Sequence, residues 1–204
     1  MVTLTGMAAP STGTRDPEAT KARIFRAATQ EFAAHGIAGA RVDRIAREAQ
    51  ANKQLIYAYF GNKAELFSQV LEANLIDLIA EIPIDAEDPV AWADRLLDYH
   101  ASHPEVTRLM LWEALEFGET SALPAANARA EQYTRKVAAF EEAQRQGLID
   151  TAIPPGDLVF LMITLFISPT AMPQIRHLLA GDTDEDTARL RGSIRTVVRR
   201  ITGT

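Results

Sequence analysis

Residues Val42–Lys63 read VDRIAREAQANKQLIYAYFGNK, and the fold follows from this stretch. Val42, Ile45, Ala46 and Ala49 recur at i, i+3, i+4 and i+7, one apolar face of a short helix. Gln50-Ala51-Asn52 breaks that pattern, and Asn52 suits the N-cap of a second helix. That second segment opens with polar Lys53 and Gln54, then carries Leu55, Ile56, Tyr57, Tyr59 and Phe60. Two short helices joined tightly, the second polar at its exposed start, form a helix-turn-helix able to enter a major groove.

Outward from that pair, nearly every segment has helical period and none alternates as a strand does. Upstream, Pro17 opens a helix to about His35, with Ile24, Ala27, Ala28 and Phe32 inward and Gly36 as its stop. Downstream, Asn62 caps a long helix from Lys63 to about Ile82, ended by Pro83 and an acidic linker. Further helices start at Asp88-Pro89, at Pro104 (stopped by Gly118) and at about Leu123, the last stopped by Gly147. An apolar helix at 157–168 comes next, followed by Pro169 and Pro173, and a final one spans about 183–201. The expected fold is therefore all-α, about nine helices. It divides into a tail over 1–16 expected to be disordered, a helix-turn-helix domain over 17–63, and a helical domain over 64–204.

Composition narrows the function. The 204 residues contain no cysteine, which excludes disulfides, cysteine metal sites and thiol catalysis. The longest apolar run, Leu158 to Ile167, is about half of what spans a bilayer. Nothing at the N-terminus resembles a secretory signal, so a cytoplasmic location is expected. The net charge of −6 is unevenly divided. Residues 1–63 hold nine Lys and Arg against five acids, +4, leaving −10 on the other 141. A basic module on an acidic body suits a nucleic-acid partner for the first part alone.

From Arg23 to Leu66 the chain resembles the TetR family of transcriptional regulators. The resemblance rests on Ile24-x2-Ala27-Ala28-x3-Phe32-x3-Gly36, Val42-x2-Ile45-Ala46-x2-Ala49 and the run IYAYFGNKAELF. It implies a reading helix that begins at Asn52, a partner in double-stranded DNA with a palindromic operator, a homodimer and a small-molecule effector. Three departures stand out: Gln50 where a glycine is usual in the turn, Ala51 where valine is usual, and Gln54 where the family often has glycine. A left-handed Gln50 costs on the order of 1 kcal/mol relative to glycine, so the turn is expected to adjust instead.

Chemistry assigns roles within the reading helix. Lys53 can donate to guanine O6/N7 and Gln54 can pair with adenine, so these are the base-edge candidates. Asn52 is exposed beside them. Tyr57, Tyr59 and Lys63 suit phosphate, with one tyrosine as readily packing on the first helix. Lys63 sits where the helix macrodipole disfavours a cation, which makes sense facing a phosphate. Arg41 and Arg44 are expected on the DNA backbone, Arg44 within reach of a base.

In the acidic domain, Trp92, His100, Met110, Trp112, Phe117, Phe140 and Phe166 are candidate walls of an apolar effector pocket, with Trp112 and Phe117 foremost and His100 as its polar contact. His100 and His103 lack a third ligand, so no metal and no cofactor are expected. The dimer is expected through Phe160, Ile163, Ile167, Leu190, Ile194, Val197 and Val198 on two helices, as a four-helix interface. No phosphate loop, nucleophile elbow, HExxH or paired-carboxylate motif is present, which speaks against an enzyme. The competing reading is an all-helical small-molecule binder or enzyme whose N-terminal helices are structural.

Overall fold

The computed structural model describes residues 16–118 and 126–204. The tail expected over 1–16 lies outside the described residues except for Asp16, as does the stretch 119–125, which includes the expected start of the seventh helix. Ten helices run through the described residues: α1 (Pro17–Gly39), α2 (Val42–Glu48), α3 (Lys53–Phe60), α4 (Lys63–Glu81), α5 (Pro89–Ser102), α6 (Pro104–Phe117), α7 (Ala126–Arg145), α8 (Pro155–Ala171), α9 (Pro173–Ala180) and α10 (Asp184–Thr202). The fold is all-α among these residues, with one more helix than expected.

The extra helix is α9. Pro173, expected only to follow the apolar helix, occupies the first turn of a new helix that ends at Gly181. Proline lacks the N–H that a first turn leaves unused, so it opens helices as well as ending them. Nor does Pro169 end α8, which runs through it to Ala171. Proline removes the bond that its N–H would give to the carbonyl of Leu165. The Ser168 hydroxyl donates to that carbonyl at 2.8 Å and keeps it satisfied.

Capping fixes the other starts. Asp16, Asn52 and Asp88 each accept a backbone N–H of the first turn of their helix. Asn62 with Glu65, and Thr183 with Asp186, form complete capping boxes for α4 and α10. The helix-turn-helix turn corrects one expectation. It does not adjust: Gln50 takes φ 50°. Ala51 N–H bonds the Ala46 carbonyl and Gln50 N–H the Arg47 carbonyl, a Schellman closure with Gln50 in the left-handed position. Gln50→Gly should therefore raise stability by about 1 kcal/mol, partly offset by the greater freedom of the unfolded glycine. A urea melt with no gain in midpoint would refute this.

Packing joins the two parts. Ile24, Phe32, Ile45, Ile56 and Phe60 form the N-terminal core, with Phe32 edge-on to Phe67 of α4 at 5.2 Å. Trp92, Leu109, Phe140, Leu158 and Phe166 are buried in the C-terminal half. Between them α6 lies against α1, where α1 kinks at Gly36 (φ 66°, ψ −178°). The Ala33 carbonyl beside the kink accepts from Arg108 Nε at 2.6 Å and Trp112 Nε1 at 3.2 Å. Across α5 and α10, Arg195 grips Asp94 at 2.9 Å while Arg191 pairs with Asp98.

Candidate functional site

The start of α3 is open to solvent, because Ile56 and Phe60 fix its other face in the core. Asn52, Lys53, Gln54 and Tyr57 are all exposed, Tyr57 by 43%. Their side chains are committed to different degrees. The Asn52 carbonyl oxygen accepts the Gln54 N–H at 2.8 Å as the helix cap, leaving its amide N–H groups for a ligand. Lys53 pairs with Asp43 of α2 at 2.9 Å, a contact that also raises its pKa. Gln54 has no side-chain partner among the described residues. Of the two base-edge candidates, Gln54 is presented directly, whereas Lys53 must first leave Asp43.

The phosphate candidates separate in the same way. Tyr59 is only partly exposed: it packs edge-on to Phe60 at 5.9 Å, and the Lys21 ammonium lies 5.5 Å from its ring centre. It is thus the tyrosine that packs toward α1, and Tyr57 the one that faces outward. Lys63 donates to the carbonyls of Ala38 and Ala40, each at 3.3 Å, at the end of α1. An ammonium has three donors, so one remains.

Arg44 is held on α1. Its guanidinium meets the Glu31 carboxylate at 2.6 Å and donates to the Gly39 carbonyl at 3.1 Å. Glu31 also accepts the Arg41 N–H at 2.7 Å. Burial works to raise the Glu31 pKa, but these donors outweigh it and leave it lowered. Sequence reading misses Glu31, because its position in the helical repeat gives no sign of this partner. The Arg41 side chain stays exposed. Arg23, absent from the candidate set, donates to the Ala49 carbonyl at 3.1 Å and so ties α1 to the end of α2.

In the C-terminal half the expected pocket walls are dispersed. Trp112 and Phe117, the foremost candidates, turn toward α1 and α4 instead. Trp112 lies over Gly36, and Phe117 is 6.4 Å from Phe67. A flat indole fits there only because Gly36 has no Cβ. Trp92 packs against Phe140 at 5.8 Å and Phe166 at 5.7 Å, which makes Phe140 core rather than wall. Trp92, His100, Met110 and Phe166 do meet, around a cavity of only ≈ 40 Å³ that Lys136 and Tyr133 also line.

That cavity is polar at its edge. Trp92 Nε1 is the buried side-chain nitrogen without an acceptor among the described residues. His100 is 3% exposed and shares a hydrogen with Thr107 at 3.0 Å. Burial, with the charges of His103 and Lys136 nearby, pushes its pKa down to about 4. Burial also lowers the Lys136 pKa.

Residues 24–70 match the model for bacterial regulatory proteins of the tetR family, and residues 88–200 match the tetracyclin repressor-like C-terminal domain. The chain is 56% identical to the HTH-type transcriptional repressor SCO4008 of Streptomyces coelicolor, over 92% of this chain and 97% of that one. The chain belongs to the TetR family. A second relative, the HTH-type transcriptional repressor NicS of Pseudomonas putida, is 34% identical over 52% of this chain and 55% of its own. Among solved structures, the S. coelicolor transcriptional regulator SCO4942 superposes with a TM-score of 0.77 at 35% identity, over 90% of this chain and 98% of that chain.

For a TetR-family chain the remaining site is the expected dimer face on α8 and α10. Phe160 is 69% exposed and Val197 43%, so both are open to a second copy. Ile194 and Val198 are not: they are buried within the protomer, where α10 packs on α5 and α8. Ile163 and Ile167 line the small cavity, and Leu190 lines a separate, larger cleft. The apolar pattern of α10 thus marks, at Ile194 and Val198, the stripe that packs on α5 and α8 of its own chain. Leu161, beside Phe160, is exposed as well. No single described helix is long and apolar enough to cross a membrane.

Proposed function

We propose that this protein is a homodimeric cytoplasmic repressor of a palindromic operator, released by a small apolar or amphipathic ligand, and not an enzyme. The observation that carries the reading is the exposed start of α3, with Gln54 unengaged, on a basic domain of the TetR family. Gln54 reads a base edge, Lys53 joins it on leaving Asp43, and Tyr57, Arg41 and the third donor of Lys63 hold phosphates. Asn52 adds its amide N–H groups. Arg44 and Tyr59 act less directly, by fixing α2 and α3 on α1. A second copy joined through Phe160, Leu161 and Val197 sets two reading helices on one face of a duplex. Ligand release works only as far as the ligand discriminates between conformers with right and wrong spacing of those helices.

Footprinting of genomic DNA beside its own gene should give two protected half-sites related by a dyad. Binding should weaken steeply with added salt, as counterion release requires. Gln54→Ala should cost roughly 1–3 kcal/mol at one base pair and relax preference there. Lys63→Ala should weaken all duplexes alike and lower the salt slope by about 1. Protection of no fragment would favour the binder without DNA, and an unchanged salt slope in Lys63→Ala would remove that lysine from the phosphate set.

A further inference from the structure

The small cavity beside Trp92 is not the largest recess among the described residues of the C-terminal half. A cleft of ≈ 470 Å³ lies between α5, α6, α8, α9 and α10, more than ten times the ≈ 40 Å³ of that cavity. Sites for small ligands run from about 300 to 1,000 Å³, so the cleft falls in range and the cavity does not. Its floor is apolar, built from Leu97, Phe166, Leu190 and Ile194 with Pro169 and Pro173.

Three arginines, Arg108, Arg176 and Arg191, stand on its walls, and no Asp or Glu lines it. Arg191 is spoken for by Asp98 and Asp94. The other two have no ion pair among the described residues. Arg108 spends one donor on the Ala33 carbonyl, and Arg176 reaches only the Thr187 hydroxyl, at 3.5 Å. A guanidinium presents five donors, so both retain most of their hydrogen-bonding capacity. Uncompensated guanidinium groups over an apolar floor are complementary to a molecule with a hydrocarbon body and an anionic head. A carboxylate matches the planar fork of arginine in particular.

We propose that this cleft binds an amphipathic organic acid, its carboxylate on Arg176 and Arg108 and its hydrocarbon body along Phe166, Leu190 and Ile194. The site follows from the cleft itself. Its effect on DNA rests on the regulator reading above. Arg108 is the link, since the same side chain holds the Ala33 carbonyl of α1. A carboxylate that draws Arg108 toward the cleft loosens α1, and with it the helix-turn-helix.

Decanoate serves as the probe, titrated into the full chain by calorimetry below its micellar concentration. Decanol and decyltrimethylammonium are the neutral and cationic counterparts. Decanoate should bind saturably, once per chain, and at least tenfold more tightly than either counterpart. Arg176→Met should weaken it at least tenfold, whereas Lys136→Met, beside the small cavity, should leave it unchanged. An unaltered melting temperature in Arg176→Met certifies its fold. Equal binding of decanol, retention of affinity in Arg176→Met, or loss of affinity in Lys136→Met instead would each overturn the proposal. So would an absence of saturable binding, as a cleft closed by a second copy would give. Decanoate that binds as expected to a protein that protects no duplex would uphold the site and refute only the regulator reading.

Discussion

Gly36→Ala should lower the unfolding free energy by about 3 kcal/mol. Two costs combine. Gly36 sits at φ 66° and ψ −178°, a region essentially confined to glycine, where a side chain adds on the order of 1–3 kcal/mol. A Cβ there would also lie 2.7 Å from Trp112 Cε3 and 2.8 Å from Cδ2. The indole cannot simply swing away, because its N–H is anchored on the Ala33 carbonyl. Forcing an extra carbon into such a contact costs typically 1–3 kcal/mol. The parts can be separated. Trp112→Ala in the Gly36→Ala background removes the overlap but not the backbone strain. A double-mutant cycle should then show coupling of roughly 1 kcal/mol or more between the two positions. Strict additivity would mean that the ring and the kink are independent, and an unshifted denaturation midpoint in Gly36→Ala would contradict the strain as well.

That joint shows where sequence reading stops. Gly36 is legible as a helix stop, and Trp112 as a large apolar residue on α6. Nothing in either pattern says that the two meet, since they are distant in the chain and periodicity reports only which face turns inward. Hence Trp112 and Phe117, expected in a pocket, are found against Gly36 of α1 and Phe67 of α4. The helix-turn-helix is legible for the opposite reason: its spacing, cap and turn are local. Even there the side-chain partners are not. Lys53 on Asp43 and Arg44 on Glu31 are contacts between helices, and they decide which cations are already engaged within the fold. Helix α9 is an intermediate case. Pro173, Ile175, Leu178 and Gly181 carry a start, a helical spacing and a stop, but two nearby prolines favour a break on sequence alone.

His100 gives the second large effect, as a dependence of stability on pH. Its pKa in the fold is about 4, against an ordinary 6.5. Burial is the first cause, and the neighbouring His103 and Lys136 add to it. Between these two values the unfolded chain binds the proton that the folded chain refuses. Stability attributable to His100 is therefore complete above pH 6.5 and is lost as the pH falls toward 4. A shift of this size corresponds to about 3 kcal/mol at full loss, and to about 2 kcal/mol by pH 5. Lowered carboxylates such as Glu31 and Asp98 act in the same direction, but below about pH 4.5, where unfolded carboxylates begin to take up protons. His100→Gln keeps a partner for the Thr107 hydroxyl and has no proton to gain. The difference between the parent and His100→Gln stability curves should therefore be flat above pH 7 and slope by roughly 2 kcal/mol between pH 7 and 5. A difference that stays flat across that window would mean that His100 is protonated in the folded state at pH 5. The neutral imidazole beside Trp92 and Lys136 would then have to be abandoned.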